Sequence, residues 1–251
     1  MKDALEDEFD VVAGWTEQVV GELGPDHAIA AACRGSGSPV SLAWLAEALE
    51  VRLARRMLDV GSGVGGPAAW LAEHVGLTPV CAEPMRVAAR ASRRLFGLPA
   101  VAAAGEALPF PAGTFDAAWC LGVLDTAGDE AALLAELRRV LGPVGRLGLL
   151  AFLADGPLPP PLPEGNDFCT AAELDDLLRT AGFRVVQTTP AGSPADAPVS
   201  WRARADRVED ALARRHAGDP RWEIAQEQTA RMARLISGGH LRPTLLHAVA
   251  V

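Results

Sequence analysis

Met57-Leu-Asp-Val-Gly-Ser-Gly-Val-Gly-Gly-Pro-Ala-Ala-Trp-Leu-Ala72 reads as a short buried strand, a glycine turn and the start of a helix. Met57, Leu58 and Val60 form the apolar run of a parallel strand covered on both faces. Asp59 puts an ionisable group near the end of that run, where a chain building only a core would put a hydrophobe. Gly61, Ser62, Gly63 and Gly65 let the backbone turn sharply and admit a ligand within contact distance. Pro67 is tolerated in the first helical turn, and Ala68, Ala69, Leu71 and Ala72 continue the helix. A strand, glycine turn and helix in this order aim helix N–H groups at a ligand, the outline of a nucleotide site.

The glycines alone leave the nucleotide open, since Gly61 to Gly66 also fits the dinucleotide pattern G-x-G-x-x-G of NAD and FAD proteins. The next apolar stretch, Leu77 to Glu83, reads as a second strand ending in an acid. A carboxylate there can accept hydrogen bonds from both hydroxyls of a ribose. Asp59 before the turn, together with this acid, resembles the nucleoside-binding half of class I S-adenosylmethionine (SAM) methyltransferases. The resemblance implies SAM as cofactor and S-adenosylhomocysteine as product. It gives Glu83 the ribose and sets Pro84 and Met85 against the adenine.

Two further segments carry the same resemblance. Ala103-Ala-Gly-Glu-Ala-Leu-Pro-Phe-Pro-Ala-Gly-Thr-Phe-Asp116 is similar to the family's G-D-A-x-x-L-P-F-x-x-x-x-F-D. Its second half fits, but the family's aspartate falls at Ala104 and its alanine at Gly105. Glu106 takes over the polar adenine contact, or backbone groups of Gly105, Glu106 and Ala107 suffice. Arg139-Val-Leu-Gly-Pro-Val-Gly-Arg-Leu147 resembles the R-V-L-x-P-G-G-x-L turn that leads into the fifth strand, with Val144 in place of a glycine. Between them, Phe115 to Leu124 is the fourth strand and its exit. By resemblance, backbone groups near Cys120 and Leu121 meet the methionine part of SAM.

The fold implied is a doubly wound α/β sheet of seven strands, order 3-2-1-4-5-7-6, with strand seven antiparallel. Helices precede the first strand and a helical insert separates strands six and seven. As a single domain it divides into an N-terminal helical lid at 1–53, a SAM-binding half at 54–155 and an acceptor-side half at 156–251. Residues 2–23 repeat Leu5, Phe9, Val12, Val19 and Val20 on close to one helical face. Ser38 or Ser41 caps a later helix carrying Leu42, Trp44 and Leu45. The insert, 199–237, reads as two helices and is expected to cap the acceptor pocket from the side opposite the N-terminal helices.

For the acceptor site the candidates are Arg34 and Trp15 in the lid, Asn166 and Phe168 before a helix at 171–181, and Trp201 in the insert. Methyl transfer from a sulfonium needs a proton acceptor only when the nucleophile still carries its proton. The base candidates are His27, Asp125 and His240, with a loop or cap role equally open for Asp125.

Composition narrows the classes. A chain of 251 residues can bury one substantial core, and 49% hydrophobic with 22% charged residues is ordinary for a globular enzyme. The net charge of −9 argues against a nucleic-acid partner. Cys33, Cys81, Cys120 and Cys169 lack metal or redox spacing and suit a reducing, cytoplasmic setting. The histidines and acids show no metal-ligand spacing, and no apolar run reaches membrane-spanning length. The expected partner is a small-molecule acceptor, and the protein a monomer or homodimer. Two other readings stand beside methyl transfer: an NAD-linked oxidoreductase, and a methyltransferase-like protein such as a cyclase that does not methylate.

Overall fold

The computed structural model describes residues 2–251; the side chains of residues 2–7, Leu5 among them, and of Pro194 lie outside that description. Seven strands form one sheet: β1 (Met57–Val60), β2 (Val80–Glu83), β3 (Ala100–Ala102), β4 (Phe115–Leu121), β5 (Leu141–Ala154), β6 (Phe183–Pro190) and β7 (Leu241–Ala250). Their order is β3-β2-β1-β4-β5-β7-β6. The β1–β2, β1–β4, β2–β3 and β4–β5 pairs are parallel, and β7 runs antiparallel to both β5 and β6. This is the expected topology, with a second strand shorter than Leu77 to Glu83. Pro79 has no N–H for a ladder, and β2 begins one residue after it.

Alternation along the strands splits the core in two. On one face Leu58, Val60 and Ala118 meet α6 (Glu130–Val140) and α7 (Ala171–Thr180) through Leu133, Leu137, Leu174 and Leu178. On the other, Met57, Ala117 and Trp119 pack on α3 (Pro39–Ala48) and α4 (Gly66–Val75) through Leu42, Leu45, Trp70 and Leu71. α5 (Arg86–Phe96) covers β2 and β3 with Ala88, Ala89 and Ala91 inward and its arginines outward. Ser38 caps α3 by accepting from the Ser41 N–H at 3.3 Å, which settles the choice between the two serines.

α1 (Lys2–Leu23), α2 (Ala28–Ala32), α8 (Val199–Arg215) and α9 (Pro220–Ser237) complete the chain. The insert does not lie opposite the N-terminal helices, as the sequence reading had it. α8 and α9 pack directly on α1 and α2, and Val19, Val20, Ala28, Val208, Leu212 and Trp222 share one buried cluster. The reason lies in α1, which is apolar or anchored on two sides. Asp10, Gly14 and Glu17 recur at helical spacing and face α5. The Asp10 carboxylate accepts from the Val87 and Ala88 N–H groups at 2.8 and 3.0 Å, satisfying two free donors at the start of α5. Trp15 and Val19, nearly opposite, face the insert. A helix with two sticky sides becomes a wedge, and the insert stacks on it.

Candidate functional site

The carboxyl edge of β1 and β2 gathers most of the residues singled out from the glycine turn. Gly61, Gly63 and Gly65 all have positive φ, at 67°, 53° and 88°, which a side chain would strain. The turn is pinned to β2 where the Gly61 N–H donates to the Ala82 carbonyl at 2.8 Å. Added side-chain atoms would meet very different surroundings along it. A Cβ at Gly61 would sit 2.2 Å from Val123, and one at Gly66 would sit 2.4 Å from the Ala32 backbone. A Cβ at Gly63 would meet nothing within 4 Å. The turn is therefore packed shut at its flanks and open at its middle.

Two acids stand under that opening. Glu83 is buried, and its carboxylate accepts from the Gly63 N–H at 2.7 Å through one oxygen and from the Met85 N–H at 3.0 Å through the other. Burial pushes its carboxyl up to about 6, and the two N–H donors oppose that. Each oxygen keeps a lone pair for a further donor. Asp59 is 1% exposed. Burial drives its carboxyl up to about 8; the Trp119 indole and the Ala68 N–H pull the other way, and the Glu83 charge adds to the rise. Its Oδ2 has no hydrogen-bond partner, nor has the buried Ser62 hydroxyl. Buried oxygens left bare in this way are uncommon in a folded chain and call for an explanation.

The adenine-side expectation is altered in detail. Gly105 takes the position of the family's alanine because Leu133 leaves no space: an added Cβ would lie 2.5 Å from it. Ala104 is exposed and Glu106 half-buried. The Glu106 carboxylate accepts from the Gly128 N–H at 3.1 Å, so it braces the loop after β4. Pro84 and Ala107 are exposed and Met85 half-buried beside them. Cys120 and Leu121 end β4 with their side chains in opposite core faces, leaving only backbone at the edge.

Asp125, in a 3-10 turn at Leu124–Thr126 just past that edge, is 2% exposed. Burial carries its carboxyl up to about 7; the Phe152 N–H lowers it and Glu130 raises it. Its carbonyl accepts from the Asp167 N–H at 2.8 Å, tying the 164–170 loop to the end of β4. On that loop Asn166 is half-buried, and Phe168 joins Phe152, Leu158, Met232 and Ile236 in an apolar cluster. Phe152 from β5, Phe168 from this loop and Met232 and Ile236 from α9 thus pack together beyond the end of β4.

The other candidates fall elsewhere. Trp15 stacks on His216 at 3.7 Å with Arg221 over its other side at 5.4 Å, so it clasps lid to insert. Arg34 does the same, bonding the Glu209 carboxylate at 3.1 Å and the Thr229 hydroxyl at 3.2 Å. Trp201 lines a hollow of about 120 Å³ with Pro25, Glu73, His74 and Arg204, at the end of α4 remote from the glycine turn. His27 lies in the 3-10 turn before α2, and its Nδ1 is buried without a partner. His240 opens β7 through backbone bonds to Asp155 and Leu235. Trp15, Arg34 and Trp201 are all held by packing that spans most of the chain, which spacing along the sequence does not reveal.

Sequence reading missed Asp10, Trp119 and Glu8. Glu8 is a buried lid carboxyl with a bare Oε2, raised to about 7 by burial and held back by Arg34. No local pattern marks them, because each acquires its role from a partner on another element.

The segment between α2 and α3 crosses this edge of the sheet. The backbone of Ala32 and Cys33 packs on Gly66, and the Gly35 carbonyl lies 2.7 Å from where a Cβ at Gly122 would be. The loop before α3 thus bridges the glycine turn and the exit of β4.

Residues 58–149, which hold both acids, the glycine turn and the β4 edge, match the family model described as a methyltransferase domain. That stretch, about a third of the chain, is what resembles a methyltransferase domain. Over 125 residues the chain is 35% identical to the methyltransferase GfsG of Streptomyces halstedii, covering 45% of this chain and 44% of that one. Over 133 residues it is 35% identical to the demethylmenaquinone methyltransferase of Thermus thermophilus, covering 49% and 57%. The chain thus spans about half the length of the curated relatives it matches. Among solved structures, the [4+2]-cyclase SpnF superposes with a TM-score of 0.66 at 23% identity, over 83% of this chain and 79% of that one. A 1,6-didemethyltoxoflavin N1-methyltransferase of Burkholderia thailandensis gives 0.57 at 20%, over 85% and 77%. A methyltransferase and a cyclase therefore share this fold, and the fold does not separate them. Among the described residues no helix is long and apolar enough to cross a membrane, and no group of acids, histidines and cysteines is placed to hold a metal.

Proposed function

We propose that this chain binds SAM and transfers its methyl group to a small-molecule acceptor. The observation that carries the reading is the pair of buried acids beneath an open glycine. Gly63 has free space above it, Glu83 is held by the Gly63 and Met85 N–H groups with lone pairs to spare, and Asp59 and Ser62 present bare oxygens. A ribose diol matches the first acid and an ammonium group the second. In this reading Asp59, Gly61, Ser62, Gly63 and Gly65 hold the methionine part, with the backbone at Cys120 and Leu121. Glu83 takes the ribose. Pro84, Met85, Gly105, Glu106 and Ala107 border the adenine.

SAM supplies a sulfonium-bound, electrophilic methyl group, and the protein's task is to hold a nucleophile in line with it, about 3 Å away, in a dry pocket. The lid loop over Gly66 and Gly122 excludes water from one side. The Phe152, Phe168 and Met232 cluster gives the acceptor an apolar wall. Asp125 can take a proton from a hydroxyl acceptor, since a carboxyl with its affinity near 7 is half ionised at neutral pH. The acceptor side, residues 156–251, and the lid, 1–53, would then close on the SAM-binding half at 54–155. The four buried free thiols suit a cytoplasmic setting, and we take the working unit to be a monomer or homodimer.

One observation favours a second reading, in which the fold binds a small molecule without methylating it. Ala104 leaves no carboxylate where the family's adenine contact stands, and Glu106 is committed to Gly128. Calorimetric titration with SAM and S-adenosylhomocysteine, followed by acceptor screening for homocysteine product, separates the two. Micromolar binding of both ligands and product formation are expected. No binding of either would move the non-methylating reading to first place.

A further inference from the structure

Asp59 and Trp119 are register partners on the adjacent parallel strands β1 and β4. Both side chains point to the α3–α4 face, both are buried, and each has a bare polar atom: Oδ2 of Asp59 and Nε1 of Trp119. An indole nitrogen can only donate. Its neighbours in that layer, Leu45, Leu49, Met57, Trp70 and Leu71, offer no oxygen or nitrogen acceptor in their side chains. A strand interior filled for packing alone would use a β-branched or aliphatic residue and leave no donor stranded.

We infer that Trp119 is the positioning residue for Asp59, its indole N–H steadying the carboxyl that receives the ammonium group of the cofactor. The inference rests on the SAM reading above. The indole faces the carboxyl from the neighbouring register position on β4, with no hydrogen bond yet made between them, and a donor placed there favours the charged form. Other groups facing Asp59 cannot do this. Glu83 repels its charge. Cys33 from the lid, Cys81 from β2 and Cys120 from β4 feel the Asp59 charge and are pushed up by burial, so they stay neutral thiols. Besides the Ala68 N–H, Trp119 is the donor placed to stabilise an ionised Asp59. Cofactor binding then moves one proton from Asp59 to solvent, and the indole and the incoming ammonium group together hold the carboxylate left behind.

The test is calorimetry with S-adenosylhomocysteine between pH 6 and 8.5, in two buffers of different ionisation enthalpy, on the parent, Trp119→Phe and Asp59→Asn. The parent should bind more tightly as pH rises and release a proton on binding. Trp119→Phe keeps the ring and loses the donor. It should bind about tenfold more weakly at neutral pH, a charge-assisted hydrogen bond's worth, with the midpoint of its pH dependence raised by about one unit. A purely structural tryptophan would leave that midpoint alone. Parent-like affinity and midpoint in Trp119→Phe overturn the inference while leaving the SAM reading intact. Failure of the parent to bind overturns both. Should Trp119→Phe misfold, indole ¹⁵N–¹H spectra of the parent replace it. The Trp119 resonance should move with pH and with S-adenosylhomocysteine, and Asp59→Asn should abolish the pH-dependent movement. A resonance indifferent to both overturns the inference.

Discussion

The glycine turn and the helical cap over it are held by opposite kinds of force. At the turn, backbone does the work: three glycines at positive φ, N–H groups on carbonyls and carboxylates, and almost no freedom of side-chain choice. The cap of α1, α2, α8 and α9 is held by side chains reaching across it. Trp15 lies between His216 and Arg221, Glu22 meets Arg215 at 2.6 and 3.0 Å, and Arg34 reaches Thr229 across 195 residues of sequence. A site built from backbone tolerates few substitutions and is rigid. A cap clasped by half-exposed pairs can loosen at modest cost.

The contrast is sharpest within the turn itself. Gly66→Val should be the most damaging change, costing about 3 kcal/mol or more, because its branches would enter the Ala32 backbone. Gly63→Val faces open space, so the fold should survive with a loss of about 1–2 kcal/mol from the strained φ, while SAM binding disappears. Thermal melts and calorimetry on the two variants check this. Equal stability of both would break the distinction between packed flank and open middle.

Glu83→Ala comes next. It leaves the Gly63 and Met85 N–H groups without an acceptor, at about 1–3 kcal/mol each where they stay buried, and S-adenosylhomocysteine affinity should fall by about a hundredfold.

The buried acids set a pH dependence of a definite sign. Asp59 keeps its proton in the fold up to about pH 8, but in the unfolded chain only to its ordinary 3.8. The ligand-free protein therefore loses stability as pH rises through that window, by at most about 1.4 kcal/mol per unit for one group. Glu83, Asp125 and Glu8, raised to about 6, 7 and 7, act in the same direction over lower windows. Asp59→Asn should melt higher than the parent at pH 8 and show a flatter profile, while binding SAM poorly. A parent whose melting temperature climbs steadily from pH 5 to 8 would contradict this.

The smallest effect belongs to the cap. Arg34→Ala removes a pair that is 38% exposed on each partner and should cost about 1 kcal/mol or less. Faster amide exchange should appear in α2 and α9 and none in β1 or β4. Exchange spreading into those strands would mean that cap and sheet are one cooperative unit.

The sequence alone determined the sheet and its binding edge. Strand, glycine turn, helix and terminal acid are local signals, because each residue's φ, burial pattern or charge is required by its immediate neighbours. Topology followed from the resemblance carried by three separated segments. The placement of the cap was decided only in three dimensions. α1 carries two adhesive sides, and nothing in its spacing says which meets α5 and which meets the insert, so the insert was expected on the wrong side. For the same reason Trp15, Arg34 and Trp201 became clasps and fillers. Glu106 turned to Gly128, and Asp59 came to lie across from Trp119, its register partner 60 residues away on β4. Chain geometry close to a residue fixes its backbone, but a side chain's task is set by whichever distant element the packed core brings against it.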